Sequence, residues 1–297
     1  MRKSYLIALL LLPLLVFAVP SATPAAQISV GVAVHIGPPA LPVYTQPLAP
    51  GPGYIWTPGY WAYGPDGYYW VPGTWVLAPA GMLWTPGYWG WGTGGYFWHA
   101  GYWGPHVGFY GGINYGFGYG GVGFVGGRWN GGVFEYNAAV SHVDVTVVHN
   151  TYVDRTVVVN NTTVNRVSFN GGAGGVVARP NADEERAMNE HHEAPLAAQT
   201  QHEHAASQNH AFLASENHGH PAVAATARPG EFTGHGVEAS HGAPNNFHPP
   251  ANNNPHPENV NHGGSNPPKG ETHNPPPAHN NPHPEAKNNE RKDDDHR

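Results

Sequence analysis

Between residues 53 and 108 the apolar and small positions recur every fourteen residues. Trp56, Trp70, Trp84 and Trp98 fall in one column, and Trp61, Trp75, Trp89 and Trp103 fall in a second. Glycines keep the same step, at Gly53, Gly67, Gly81 and Gly95 before each unit and at Gly59, Gly73, Gly87 and Gly101 within it. The four units read WTPGYW, WVPGTW, WTPGYW and WHAGYW. Glycine and proline in fixed columns leave no uninterrupted helical stretch. Tyr, Trp, Phe, Thr and Val instead favour a pleated, half-buried surface. The segments GPDG (64–67), APAG (78–81) and GTGG (92–95) carry turn chemistry. A strand of about 8–10 residues and a turn of about four fill the period. The expected fold class is therefore mainly β: an antiparallel meander of short Trp/Tyr-rich strands from four 14-residue repeats, followed by a weak helix and a disordered tail.

The Pro-Gly pair inside each unit needs its own account. Two tryptophans five apart on a regular strand point to opposite faces, because side chains alternate with period 2. One extra residue at Pro-Gly, as in a β-bulge, returns both to one face and accommodates the donor that proline lacks. A type II turn at Thr57-Pro58-Gly59-Tyr60 is the rival, with shorter strands and tighter hairpins. The eight tryptophans also have two readings. They pack a sheet poor in aliphatic residues, or they form a wet aromatic platform that stacks on the sugar rings of an envelope polysaccharide. The first column follows apolar or aromatic pairs such as Tyr68-Tyr69 and Met82-Leu83, and is the one expected in the core. The second borders the turns and is the better candidate for an exposed surface.

The spacing W-x-x-G-x-W resembles the WXXGXW (also YXWGXW) repeat of small exported bacterial proteins. The resemblance covers residues 53–108, and Ala100 departs from it where the other copies have proline. It implies secretion and a β fold. It brings no catalytic or ligand residues.

The flanks differ from the repeat. Arg2 and Lys3 precede a 14-residue apolar run, Leu6 to Val19, and small residues follow to Ala26. That layout predicts a signal peptide over 1–26, too short to span a membrane, since a span needs about 20 residues. A Pro-rich lead-in occupies 27–52 and the repeats 53–108. A Gly/aromatic and then Val/Thr/Asn-rich β extension covers 109–178, in which VDVTV (143–147) alternates as a strand and RTVVVNNTTVNRV (155–167) suggests two more. Exposed edges there would leave self-association open. Residues 179–217 form a weakly helical segment, capped at Asn181 and interrupted by Pro195. Residues 218–297, rich in His, Pro and Asn, are expected to be a disordered tail with too little apolar surface to offset ordering entropy.

Composition sharpens this division. Residues 27–178 carry four acids and three bases, whereas 179–297 carry 16 acids, 8 bases and 16 of the 21 histidines. The formal charge of −7 gives no footprint for nucleic acid. The absence of cysteine removes disulfides, thiol nucleophiles, lipoprotein acylation and Cys-ligated zinc.

Chemistry-bearing patterns are broken. GxGxxG matches in two registers, from Gly116 and from Gly118, with no helix to follow, which marks a glycine-rich tract and not a dinucleotide site. His202-Glu203 begins an HExxH pattern, but Ala206 replaces the second ligand. Asp66 sits in a turn and Glu135 is isolated, so no acid pair for glycoside hydrolysis is evident. We therefore expect no catalytic residues, no cofactor and no enzyme. Histidine is the one abundant ligand type: His191-His192 and, as weak metal candidates, His202, His204, His218 and His220. The expectation is an exported, non-enzymatic envelope protein of the periplasm, outer surface or medium. Its role would be structural or interaction-based, with an envelope polysaccharide or protein as partner. Glycan binding through the Trp columns is the alternative, and weak divalent-metal binding by the tail is third.

Overall fold

In the computed structural model, which describes residues 33–156 and 166–241, the four repeats fold two by two. The first pair supplies β1 (Tyr54–Thr57), β2 (Tyr60–Gly64), β3 (Gly67–Val71) and β4 (Gly73–Leu77). The second supplies β5 (Leu83–Thr85), β6 (Tyr88–Gly92), β7 (Gly95–His99) and β8 (Tyr102–Gly104). Within the first pair β2 and β3 form a hairpin around Pro65-Asp66, and β1 lies against β4 beyond it. β6 and β7 do the same around Thr93-Gly94, with β5 against β8. Each pair of repeats is thus one long antiparallel hairpin whose two arms are both interrupted at the inner Pro-Gly, or at Ala100-Gly101 in the fourth unit.

Neither expectation for Pro-Gly holds. The register is the same on both sides of the interruption: Trp56 faces Trp75 and Trp61 faces Trp70, with no residue gained by either arm. A bulge would have shifted it. Gly59 and Gly73 also lie outside the positive-φ region that a type II turn requires. The cause is contact between the arms. A Cβ on Gly59 would lie 2.4 Å from Trp70 Cζ2 and 2.7 Å from the Gly73 nitrogen, and one on Gly73 would lie 2.5 Å from Trp56 Cζ2. Gly87 and Gly101 stand in the same relation to Trp98 and Trp84. Each indole of the first column covers the glycine of the opposite arm.

The extension is built of short pieces. β9 (Asn114–Gly116) pairs with β10 (Tyr119–Gly120), and β11 (Gly127–Asn130) with β12 (Val133–Asn137). β13 (Thr151–Tyr152) runs parallel to β12, and β14 (Phe169–Asn170) runs parallel to β6. VDVTV is not a strand. Asp144 accepts hydrogen bonds from the backbone and hydroxyl of Thr146, and its carbonyl accepts from Val147 and Val148, which turns the chain back. Here a local side-chain bond competes successfully with the ladder. Most of RTVVVNNTTVNRV lies outside the described residues, as do the signal-like segment and residues 242–297.

The helical segment forms α1 (Ala182–Met188), α2 (Ala197–Ser207), a 3-10 turn (His210–Phe212) and α3 (Ala214–Asn217). Asn181 caps α1 in a capping box with Glu184. Although thin, its apolar face is used: Ala206 and Phe212 are buried in the core cluster with the tryptophans. The expected boundary at 217–218 is displaced. β15 (Ala225–Thr226) runs parallel to β4 and pairs with β16 (Val237–Glu238), so the described chain packs through residue 241. Val223, Ala224 and Ala225 give this stretch the small apolar stripe that its polar composition conceals.

Candidate functional site

The two hairpins meet near their interruptions and leave a cavity of about 100 Å³ beneath α2. Its walls come from the repeat positions themselves: Pro58, Pro72, Pro86, Trp84 and Trp98, with Tyr60 and Tyr115 beside them. α2 closes it with Gln199, His202 and Glu203. Prolines lack the donor a ladder needs, so the sheet opens where they stand and a hollow results.

Most polar groups around this hollow are committed. The Gly230 backbone N–H donates to Nδ1 of His202 at 2.8 Å, so the ring proton sits on Nε2 and is donated to the Pro72 carbonyl at 2.8 Å. Burial lowers the His202 pKa to about 4, against the opposing pull of the Pro72 bond. Gln199 Oε1 accepts from Trp103 Nε1 at 2.7 Å and from the Leu196 nitrogen. The Tyr115 hydroxyl donates to the Gly87 carbonyl, and the Thr57 hydroxyl to the Thr74 carbonyl. Glu203 is held by hydroxyls alone and lacks a charged partner among the described residues. Its carboxylate is partly exposed. It faces the hydroxyls of Tyr60 and Tyr69. Burial first, and then the Glu203 charge, push Tyr60 well above its ordinary pKa and Tyr69 up to about 12.

On the far side of Trp98 lies a wider groove of about 420 Å³, sharing Pro86, Trp98 and Ala100 with the cavity. Tyr88 stacks on His99 at 4.5 Å, and Phe97, Tyr102 and Met188 line the rest. His192 of the helical segment stacks on Tyr102 at 3.7 Å.

The tryptophans expected at the surface are inside. Trp61, Trp75, Trp89 and Trp103 are all at most 4% exposed, and the partly exposed member of the eight is Trp98, in the other column. The second column is anchored by its indole nitrogens: Trp61 to the Ala40 carbonyl, Trp75 to Pro47, Trp89 to Trp61 and Trp103 to Gln199. The columns therefore do not form a wet platform for sugar rings. The lead-in, read only as a Pro-rich approach, supplies two of those acceptors.

This is the WXXGXW repeat. The model of that family matches residues 51–76 and 80–103 as two copies, and each copy coincides with one long hairpin. No curated protein and no solved structure matches the chain.

The weak metal candidates are not brought together. His202 has both nitrogens occupied within the protein, and the described residues contain no group of three or more His, Cys, Asp or Glu able to hold an ion. His218 caps α3 in a left-handed conformation. No helix among the described residues is long and apolar enough to cross a membrane. Sequence reasoning singled out Glu203 only as part of a broken motif and did not single out Tyr60. The prolines of the repeat were the available signal for the hollow, but nothing local brings residue 203 beside residue 60.

Proposed function

We propose that this is an exported, non-enzymatic cell-envelope protein that works by binding an envelope component, with the WXXGXW hairpins as its rigid frame. The observation that carries the reading is where aromatic surface remains after folding. Seven of the eight column tryptophans are consumed by the core, Trp98 is left between the cavity and the groove beside Tyr88, Phe97, His99 and Tyr102, and outside the columns Tyr63 and Trp91 are also exposed. Concave, mostly apolar surface with few convergent polar groups suits recognition. Binding in place of catalysis is supported by the chemistry of the walls: His202 is committed on both nitrogens, and the two phenols beside Glu203 are held protonated by burial and by its charge. Export rests on the Arg2-Lys3 start, the short apolar run and the small residues to Ala26.

Intact-mass measurement of the protein from envelope fractions is the test of export. A mature form lacking about 26 residues is expected, and retained Met1 overturns it. Cross-linking in whole cells tests binding. The wild-type chain should yield an adduct that Phe97→Ser combined with Trp98→Ser removes without loss of the fold by circular dichroism. An adduct unchanged by that pair would place the binding surface elsewhere.

A further inference from the structure

We propose that the cavity beneath α2 receives an organic ammonium group, with Glu203 as its counter-charge and Tyr60, Trp84 and Trp98 as its aromatic walls. Three observations converge. Glu203 is the one formally charged residue on the cavity wall, and its carboxylate has no cationic partner among the described residues. His202, Thr57, Tyr115 and the Gln199 carbonyl already have partners inside the protein. The walls are indole, phenol and proline, and Tyr60 stacks on Trp98 at 4.9 Å to make a continuous aromatic face. Indole faces attract cations through the ring quadrupole, and a carboxylate gives a charge-assisted bond to an N–H donor. The two Tyr hydroxyls fix the carboxylate in place and add no charge.

Size narrows the ligand. A void of roughly 150 Å³ holds benzene, so about 100 Å³ admits an ammonium with few carbons and excludes a sugar ring or nucleotide. Such a head group comes from a free amine, from a lysine side chain or from an ethanolamine lipid. The proposal names a ligand class for the binding reading above, yet its test is independent of export and of any cellular partner.

The experiment uses the full mature chain and its tryptophan fluorescence, backed by saturation-transfer NMR on the ligand. Trimethylammonium is the probe and tert-butanol its neutral control of similar size. Saturable binding of the cation is expected, with none for tert-butanol. Glu203→Gln, which keeps an acceptor for Tyr60 and Tyr69, should weaken it about tenfold or more, and Glu203→Asp should fall between. Equal binding by Glu203→Gln, equal binding of tert-butanol, or no saturation by the cation would each overturn the proposal. If Glu203→Gln melts well below wild type, the cation-against-alcohol comparison on the wild-type chain decides alone. Parallel titrations with Nα-acetyl-lysine amide and phosphoethanolamine separate a side-chain source from a lipid one: whichever saturates at lower concentration identifies it, and failure of both while trimethylammonium binds points to a free amine.

Discussion

The two long hairpins share one motif and one register, yet they end in different surroundings. In the first, Trp70 is fully buried over Gly59 and its indole nitrogen donates to the Ala224 carbonyl, while β15 covers the edge of β4. In the second, the equivalent Trp98 lies over Gly87 in the same way but is partly exposed between cavity and groove. The first hairpin has Pro72, whose carbonyl is held by His202, and the second has Ala100 at that place, which is exposed. The repeat thus dictates the hairpin, and the residues that later pack on it decide which copy becomes core and which becomes surface.

Substituting the two equivalent tryptophans should separate the copies most strongly. Trp70→Ala removes a wholly buried indole and leaves the Ala224 carbonyl without its donor, so a loss of about 3–5 kcal/mol is expected. Trp98→Ala should cost less than half as much. Thermal or denaturant melts of both variants check this, and equal losses would erase the distinction.

Acid should act on the clamp that only the first hairpin has. His202 is neutral in the folded protein, with its pKa lowered to about 4, while an unfolded histidine titrates near 6.5. Between those values the unfolded chain binds more protons, so stability is full above about pH 6.5 and falls as pH drops towards 4. The total is on the order of 3 kcal/mol. Protonating Nδ1 also sets a proton against the Gly230 N–H. Denaturant titrations from pH 7 to pH 4 should show the decline for wild type and a flatter profile for His202→Gln.

What the copies have in common can be probed at their glycines. Gly73→Ala and Gly101→Ala each force a Cβ to within 2.5 Å of an indole ring, and on Gly101 also within 2.7 Å of a backbone carbonyl oxygen. Overpacking of this kind costs about 1–3 kcal/mol, occasionally more. Similar losses at the two sites, measured by melting, would confirm that the interlock does not depend on surroundings. The smallest effect belongs to the helix on the second hairpin's side. Asn181→Ala should cost about 1 kcal/mol, loosening the His192–Tyr102 stack while leaving the first hairpin untouched; amide exchange would locate the change in α1.

Much of the fold was legible because period and turn chemistry are local. The fourteen-residue step, the GPDG and GTGG turns and the capped start of α1 all depend on residues close together in the chain. The register across Pro-Gly was not, since it is set by an indole from the opposite arm, eleven or seventeen residues away. His202 read as a metal candidate because the chain does not reveal that Pro72 and Gly230 will take its two nitrogens. The stretch from 218 to 241 read as tail because its few apolar residues gain their value only against β4. For the cavity, the prolines were visible and the carboxylate was visible, but their meeting was not.

The opposed glycines have a consequence for ancestry. Each arm brings a gap and the indole that plugs the gap of its companion, so a single fourteen-residue copy holds one lock and the wrong key. Duplications or deletions of fourteen residues strand an arm, and those of twenty-eight add or remove a finished piece. The indivisible piece of this chain is the pair.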